Sequence, residues 1–331
     1  MLASGFPTAH RTWQDRVSQD AASSHRKRVN PRRWGHSQEE ETLGSRSEES
    51  VVRDKRDEQV IILSDDESNA QEALLPSKTL PEKRRPKVSV VIPAMNEADN
   101  LRFILPLLPP LVDEVILVDG RSTDGTVEVA QGLYPSVRLV EQIGEGKGNA
   151  LNGGFRAATG DIIVMLDADG SADPGEIPRF LKALEQGAQF AKGTRFAQGG
   201  GSQDITRLRR AGNAVLTRLV NLLFRTKYSD LCYGYNAFLV ECLPHLNVDC
   251  NGFEVETLIN VRLAKARLRV TEVPSFEHAR ISGRSNLRAA RDGWRVLRTI
   301  LSERLKSSPT GAIGAQTIGA GLPITEVPPG S

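Results

Sequence analysis

Ile162-Ile163-Val164-Met165-Leu166-Asp167-Ala168-Asp169-Gly170 sets five consecutive apolar residues directly before two carboxylates. A short, unbroken apolar run is the mark of a strand buried on both faces, so residues 162–166 are read as a central strand. In an open α/β sheet, ligands bind just beyond the C-terminal ends of the strands. Two like charges so close repel unless a cation sits between them. Oxygen ligands suit Mg2+ or Mn2+, usually held by one or two carboxylates plus substrate phosphates. Asp167 and Asp169 are therefore candidate metal ligands. A lone Asp-x-Asp is a common acidic turn, but two strand-tip motifs upstream are in register with this one.

Working outward, short apolar runs alternate with segments of helical period, the signature of an α/β fold. Strands are predicted at 87–92, 114–118, 137–141, 162–166, 188–192 and 268–273. Helices are predicted at 96–108, 125–133, 148–158, 174–185, 205–224, 254–266 and 286–304. Residues 1–86 carry basic and then acidic clusters with too few apolar residues to offset ordering entropy, and are read as a disordered extension. The Gly/Pro/Ser/Thr-rich residues 306–331 are read as a disordered tail.

The first strand runs into Pro93-Ala94-Met95-Asn96-Glu97. Asn96 or Glu97 can cap a helix there and also reach a base or ribose. The second ends in Asp119-Gly120-Arg121-Ser122-Thr123-Asp124-Gly125-Thr126, a carboxylate at a strand tip before a glycine turn. It suits a nucleotide edge, or a simple Asx turn into a helix. Gly144-Glu145-Gly146-Lys147-Gly148-Asn149 is neither a dinucleotide fingerprint nor a P-loop, since Asn149 and Gly148 stand where a glycine and a hydroxyl are required. It is either a loop bringing Lys147 to diphosphate oxygens or a plain surface turn.

Four motifs in this order (Pro93–Glu97, Asp119–Thr126, Gly146–Asn149 and Asp167–Asp169) resemble the family 2 glycosyltransferases, and most of all their polyprenyl- and dolichyl-phosphate hexose synthases. The resemblance spans residues 87–305. It implies a single GT-A domain with a Rossmann-like, mostly parallel central sheet flanked by helices. It also implies a divalent metal, Mg2+ or Mn2+, and inverting transfer from a UDP- or GDP-sugar. Matched residue by residue, it puts Pro93, Asn96, Glu97, Asp119, Asp124, Lys147, Asp167 and Ala168 at the nucleotide-sugar, with Asp169 beside Asp167 on the metal at the reaction centre. Arg195 and Arg280 match arginines that serve phosphates in the lipid-phosphate enzymes. Two departures stand out: Asn286 occupies the position of a usual lysine, with Arg284 or Arg288 available instead, and Asn236 replaces a common arginine.

The acceptor is read from the C-terminal half. Arg207, Arg209 and Arg210 precede an apolar helix, and the last predicted helix combines Trp294 with an arginine stripe, the composition of an interfacial membrane helix. A polyprenyl phosphate acceptor at a membrane surface is the leading expectation, with Arg195, Arg209, Arg280 and Arg284 on its phosphate. A saccharide or small hydroxyl acceptor is the alternative. A phosphate monoester, with a second pKa near ~6, attacks unaided at neutral pH, whereas a hydroxyl needs a carboxylate base. Asp230, Glu254 and Glu256 are the candidates for that base. His278 either titrates between phosphate elements or is structural.

A net charge of +2 gives no general case for nucleic-acid binding. Three cysteines without CxxC spacing argue against a disulfide framework or zinc site and suit a reducing cytoplasm. With neither a spanning apolar run nor a signal-peptide core in the sequence, the expectation is a cytoplasmic protein, peripheral on the membrane's cytoplasmic face. A sugar-phosphate nucleotidyltransferase fits poorly, because no Gly-rich loop follows the first strand.

Overall fold

The computed structural model describes residues 84–283 and 287–306. The first half alternates strictly: β1 (Val88–Ala94), α1 (Ala98–Ile104), β2 (Glu114–Asp119), α2 (Thr126–Leu133), β3 (Arg138–Glu141), α3 (Gly146–Ala157) and β4 (Ile162–Met165). The second half is less regular. It contains α4 (Ile177–Glu185), β5 (Phe190–Thr194), β6 (Gly201–Ser202), α5 (Arg207–Phe224), β7 (Asn236–Leu239), the one-turn α6 (Leu243–Leu246), α7 (Val255–Lys265), β8 (Val270–Pro274), β9 (Phe276–Glu277) and α8 (Ala289–Leu305).

Seven strands make one sheet in the order β3-β2-β1-β4-β7-β5-β8. All run parallel except β7, which is antiparallel to both neighbours. Strand residues alternate between the two faces, so apolar runs fill two cores. Val90 and Ile92 pack with Leu101 of α1 and Phe180 of α4. Val91 packs with Leu151 and Phe155 of α3 and Ile259 of α7. A third, smaller core lies off the sheet, where Val220 of α5 meets Val261 of α7 and Val296 and Ile300 of α8.

The six predicted strands and seven predicted helices are all present, with three informative differences. The first helix was expected over 96–108 but regular α-helix covers only Ala98–Ile104, followed by a tight turn at Leu105–Leu107. Asn96 sits at φ 58°, the left-handed region, and Pro106 lacks the N–H a continuing helix needs. The strand β7 was not anticipated. It has four residues, begins with a polar Asn236, and is stabilised by partners far away in sequence on β4 and β5. Finally, β1 runs two residues further than expected, through Pro93 and Ala94. Its pairing with β4 stops at Val91 opposite Met165, while pairing with β2 continues to Ala94. Pro93, which has no donor, lies where the two strands have already parted. That parting opens the sheet's C-terminal edge.

Candidate active site

The tip of β4 carries Leu166, Asp167, Ala168 and Asp169 into this opening. Gly170, at φ +77°, turns the chain away at once, and Ser171 N donates to Asp169 Oδ1 at 3.0 Å. Each aspartate has a cation against it. Lys147, in the first turn of α3, places Nζ 2.7 Å from Asp167 Oδ1 and 2.7 Å from Glu256 Oε1 of α7. Arg280, after β9, places Nη1 3.3 Å from Asp169 Oδ2 and pairs its Nη2 with Glu97. Two carboxylate–cation–carboxylate sets therefore flank Ala168.

Burial and charge compete in these sets. Burial alone lowers the Lys147 pKa, but the charges of Asp167 and Glu256 reverse this and hold the ammonium above its ordinary value. Burial pushes Glu256 up, with Lys147 pulling the other way. Glu97 is likewise raised by burial, offset in part by hydrogen bonds from Asn100 and Arg280. Gly234 passes directly over the first set: a Cβ there would lie 2.7 Å from Lys147 Nζ and 3.1 Å from Asp167 Oδ2.

On the side of β1 and β2, Pro93, Glu97, Lys147, Asp167, Ala168 and Asp169 line a recess of about 220 Å³. Asn96, Asp119 and Asp124 do not line it; they knit the neighbouring loops. Asn96 Oδ1 accepts from Thr123 N at 2.8 Å, and Ser122 N donates to Asp119 Oδ2 at 3.1 Å. Asp124 caps both nearby helices, accepting from Ala98 N at 3.0 Å and Thr126 N at 3.0 Å. Burial would raise its pKa, but the Thr126 hydroxyl and these amides hold it low.

On the other side, a cleft of about 620 Å³ shares Lys147, Asp167, Asp169 and Arg280 with that recess and is also lined by Glu256. Its far wall is apolar: Ile205, Leu208 and Leu216 come from α5 and its approach, and Leu287 and Val296 from α8 and its approach. Arg195 lies at its floor, nearly buried, with all its arms engaged. Its Nε and Nη2 reach Asp230 at 2.7 and 3.0 Å, and Nη1 reaches Glu277 at 3.0 Å. Asp230 is fully buried; burial would push it up, yet the Arg195 guanidinium holds it below the usual carboxylate range. Asn213 of α5 completes the cluster, donating to Asp230 Oδ1 at 3.1 Å and accepting from Cys232 N at 3.1 Å.

Of the remaining predicted residues, Arg209 lines the cleft and pairs with Asp204 at 3.1 Å. Glu254, the residue before α7, accepts from Gly252 N at 3.2 Å and lines neither cavity, whereas Glu256, in the first turn of α7, lines the cleft. His278 is buried, with its ring 4.9 Å from that of Phe276 and its backbone N–H on Ser171 O at 2.8 Å. Arg284 and Asn286 lie outside the described residues, as do residues 1–83 and 307–331. Glu277 and Asn213 were not anticipated. A glutamate between Phe276 and His278 reads as one residue of a strand too short to detect, and a lone Asn inside an arginine-led apolar helix gave the only hint.

Cys232, Cys242 and Cys250 are free, and burial pushes each thiol up to about 12. Among the described residues, no helix is long and apolar enough to cross a membrane.

The parallel sheet with one reversed strand, acidic at the tip of its central strand, is the GT-A fold of nucleotide-sugar-dependent glycosyltransferases. Glycosyltransferase AglJ of Haloferax volcanii is 30% identical over 248 residues, covering 71% of this chain and 78% of its own length. A dolichol-phosphate mannosyltransferase of Pyrococcus furiosus is 31% identical over 212 residues, 61% of this chain and 59% of that protein. Among solved structures, glucosyl-3-phosphoglycerate synthase from Mycobacterium tuberculosis, in complex with Mn2+, UDP-glucose and phosphoglyceric acid, matches with a TM-score of 0.52 at 25% identity, over 66% of this chain and 80% of that one. Residues 89–246 match the family described as glycosyl transferase family 2. The chain belongs to glycosyltransferase family 2.

Proposed function

We propose that residues 87–305 transfer a hexose from a UDP- or GDP-sugar to polyprenyl phosphate, with inversion at the anomeric carbon. The observation that carries this reading is the two-ended cleft: charged where it meets the strand tips, apolar where α5 and α8 form its wall. A headgroup phosphate at the charged end and a prenyl chain along Leu208, Leu216 and Val296 use both ends. The named activity of the Pyrococcus relative points the same way.

The donor diphosphate fits the recess beside Pro93, Lys147 and Glu97. Asp167 and Asp169 offer two hard oxygen donors, too few for an all-protein cage and suited to a Mg2+ or Mn2+ shared with phosphates. When bound, such an ion supplies Lewis-acid neutralisation of the charge developing on the departing nucleoside diphosphate. Lys147 and Arg280 add positive charge at the same place. The acceptor phosphate, dianionic at neutral pH, attacks without a base. That suits a cleft in which Asp230 is locked to Arg195, Glu254 is turned away, and Glu256 holds Lys147.

Beyond the cleft, α5 exposes Val215 and Leu222, seven residues apart, and α8 exposes Trp294, Leu301 and Leu305. With their arginines these faces suit a peripheral position on the anionic cytoplasmic face of a membrane.

The mycobacterial synthase favours a second reading, a small phosphorylated acceptor. Radiolabelled UDP-glucose and GDP-mannose should separate the two. Label passing into the organic phase with polyprenyl phosphate, and lost in Asp169→Asn, is the expected result. Label passing only to phosphoglycerate or another water-soluble acceptor would replace the lipid reading.

A further inference from the structure

Taking Asp167 and Asp169 as the metal ligands proposed above, we propose that Lys147 and Arg280 are resident counter-ions of those two carboxylates. They keep the pair closed to a free divalent ion and release it to the ion together with a nucleoside diphosphate.

The geometry is the same on both sides. Lys147 Nζ touches both oxygens of Asp167, at 2.7 and 2.9 Å, and is tethered behind by Glu256 at 2.7 Å. Arg280 touches Asp169 at 3.3 Å and is tethered behind by Glu97. The two tethers are the buried members: Glu256 and Glu97 are 6% and 9% exposed, against 33% and 25% for Asp167 and Asp169. A cation leaving a buried carboxylate strands an uncompensated charge, which is costly, whereas the more open aspartates can be taken over by another partner. Each cation can therefore let go of its aspartate while remaining anchored on its glutamate.

A divalent ion arriving alone must displace two cations that have nowhere better to go. Arriving with a diphosphate, it brings the negative oxygens that Lys147 and Arg280 take in exchange, as charge-assisted hydrogen bonds. Glycine at 234 fits this arrangement, since a Cβ there would sit 2.7 Å from Nζ and 3.2 Å from Glu256 Oε1, crowding the ammonium in its parked position. The root of Lys147 is fixed, with Gly148 N donating to Asn251 O at 3.0 Å, so the movement required is confined to the side chain. Glu256 and Glu97 act in this scheme as positioning residues.

The test is Mn2+ binding to the full chain, followed by the electron paramagnetic resonance signal of free Mn2+, without nucleotide and with UDP or GDP. Wild type should bind Mn2+ weakly alone and at least tenfold more tightly with one of the two nucleotides, within the 5–150-fold range of typical site coupling. In Lys147→Met, affinity for Mn2+ alone should rise about fivefold or more while the enhancement by nucleotide largely disappears. Arg280→Gln, on the other aspartate, should shift both values the same way and serves if the first variant folds poorly. Unchanged or weaker binding of Mn2+ alone in both variants would overturn the counter-ion role. Wild type that binds nucleotide but no Mn2+ under any condition would overturn the metal assignment itself.

Discussion

The two halves of this chain solve the same problem with different materials. From β1 to β4, side chains reach the site from strand tips and helix starts a few residues apart in sequence, on a sheet that buries both its faces. From β5 onward, the site is assembled from distant pieces. Arg195 meets Asp230 and Glu277, 35 and 82 residues away, and α5 and α8 meet each other in a core of their own. On the reading proposed above, the donor half is built on the continuous sheet, and the acceptor half is held by a few buried polar clusters. Perturbations should therefore fall on chemistry and global stability in the first half, and on acceptor handling in the second.

The sharpest break is expected at the strand tip. Asp169→Asn should lower transfer about a thousandfold or more with little change in melting temperature; a mild loss would move the chemistry away from β4. Phe180→Ala, in the core under β1 and 4.5 Å from the Tyr235 ring, should cost about 3–5 kcal/mol in denaturant unfolding. Equal sensitivity of the α5–α8 core, tested by Ile300→Ala, would erase the contrast between the halves.

A smaller effect separates acceptor from donor. Glu303 of α8 binds Arg262, Lys265 and Lys306, fastening α8 to α7. Burial would raise its pKa, but hydrogen bonds from Arg262 and Lys306 bring it down to about 2. A depressed carboxylate stabilises the fold fully above its ordinary pKa, and that share drains away as pH falls from about 4.5 towards about 2. Glu303→Gln should remove about 2 kcal/mol at neutral pH, flatten the acid limb of the stability curve, and raise the acceptor KM while leaving the donor KM alone. Donor KM rising in step would show the halves to be coupled. The least effect is expected at the thiols: with Cys232 shifted to about 12, its alkylation at pH 8 should be far slower than that of glutathione. Rapid reaction would mean the cleft floor opens in solution.

How much could be read beforehand follows the same division. Asp167 and Asp169 were legible as strand-tip carboxylates because they sit where an apolar strand meets a turn, a local pattern, whereas the segment of Lys147 read equally as a phosphate loop or a plain surface turn. Asp119 and Asp124 were legible as a motif, but the loop bonds they make to Ser122, Ala98 and Thr126 depend on how two loops meet. Asn213, Glu277 and β7 were hidden because their partners are distant and their own neighbourhoods carry no period. Glu256 and Glu254 look alike in sequence; only the turn of α7 decides which one faces Lys147.

The wall of the cleft has its own small core, resting mainly on α7, with Val270 of β8 packed against it. A lineage could exchange α5 and α8 for helices of another shape while every strand, both aspartates and both counter-ions kept their places. On the reading proposed above, the fold separates what is inherited from what is negotiable: one catalytic frame, and a replaceable panel that selects which molecule receives the sugar.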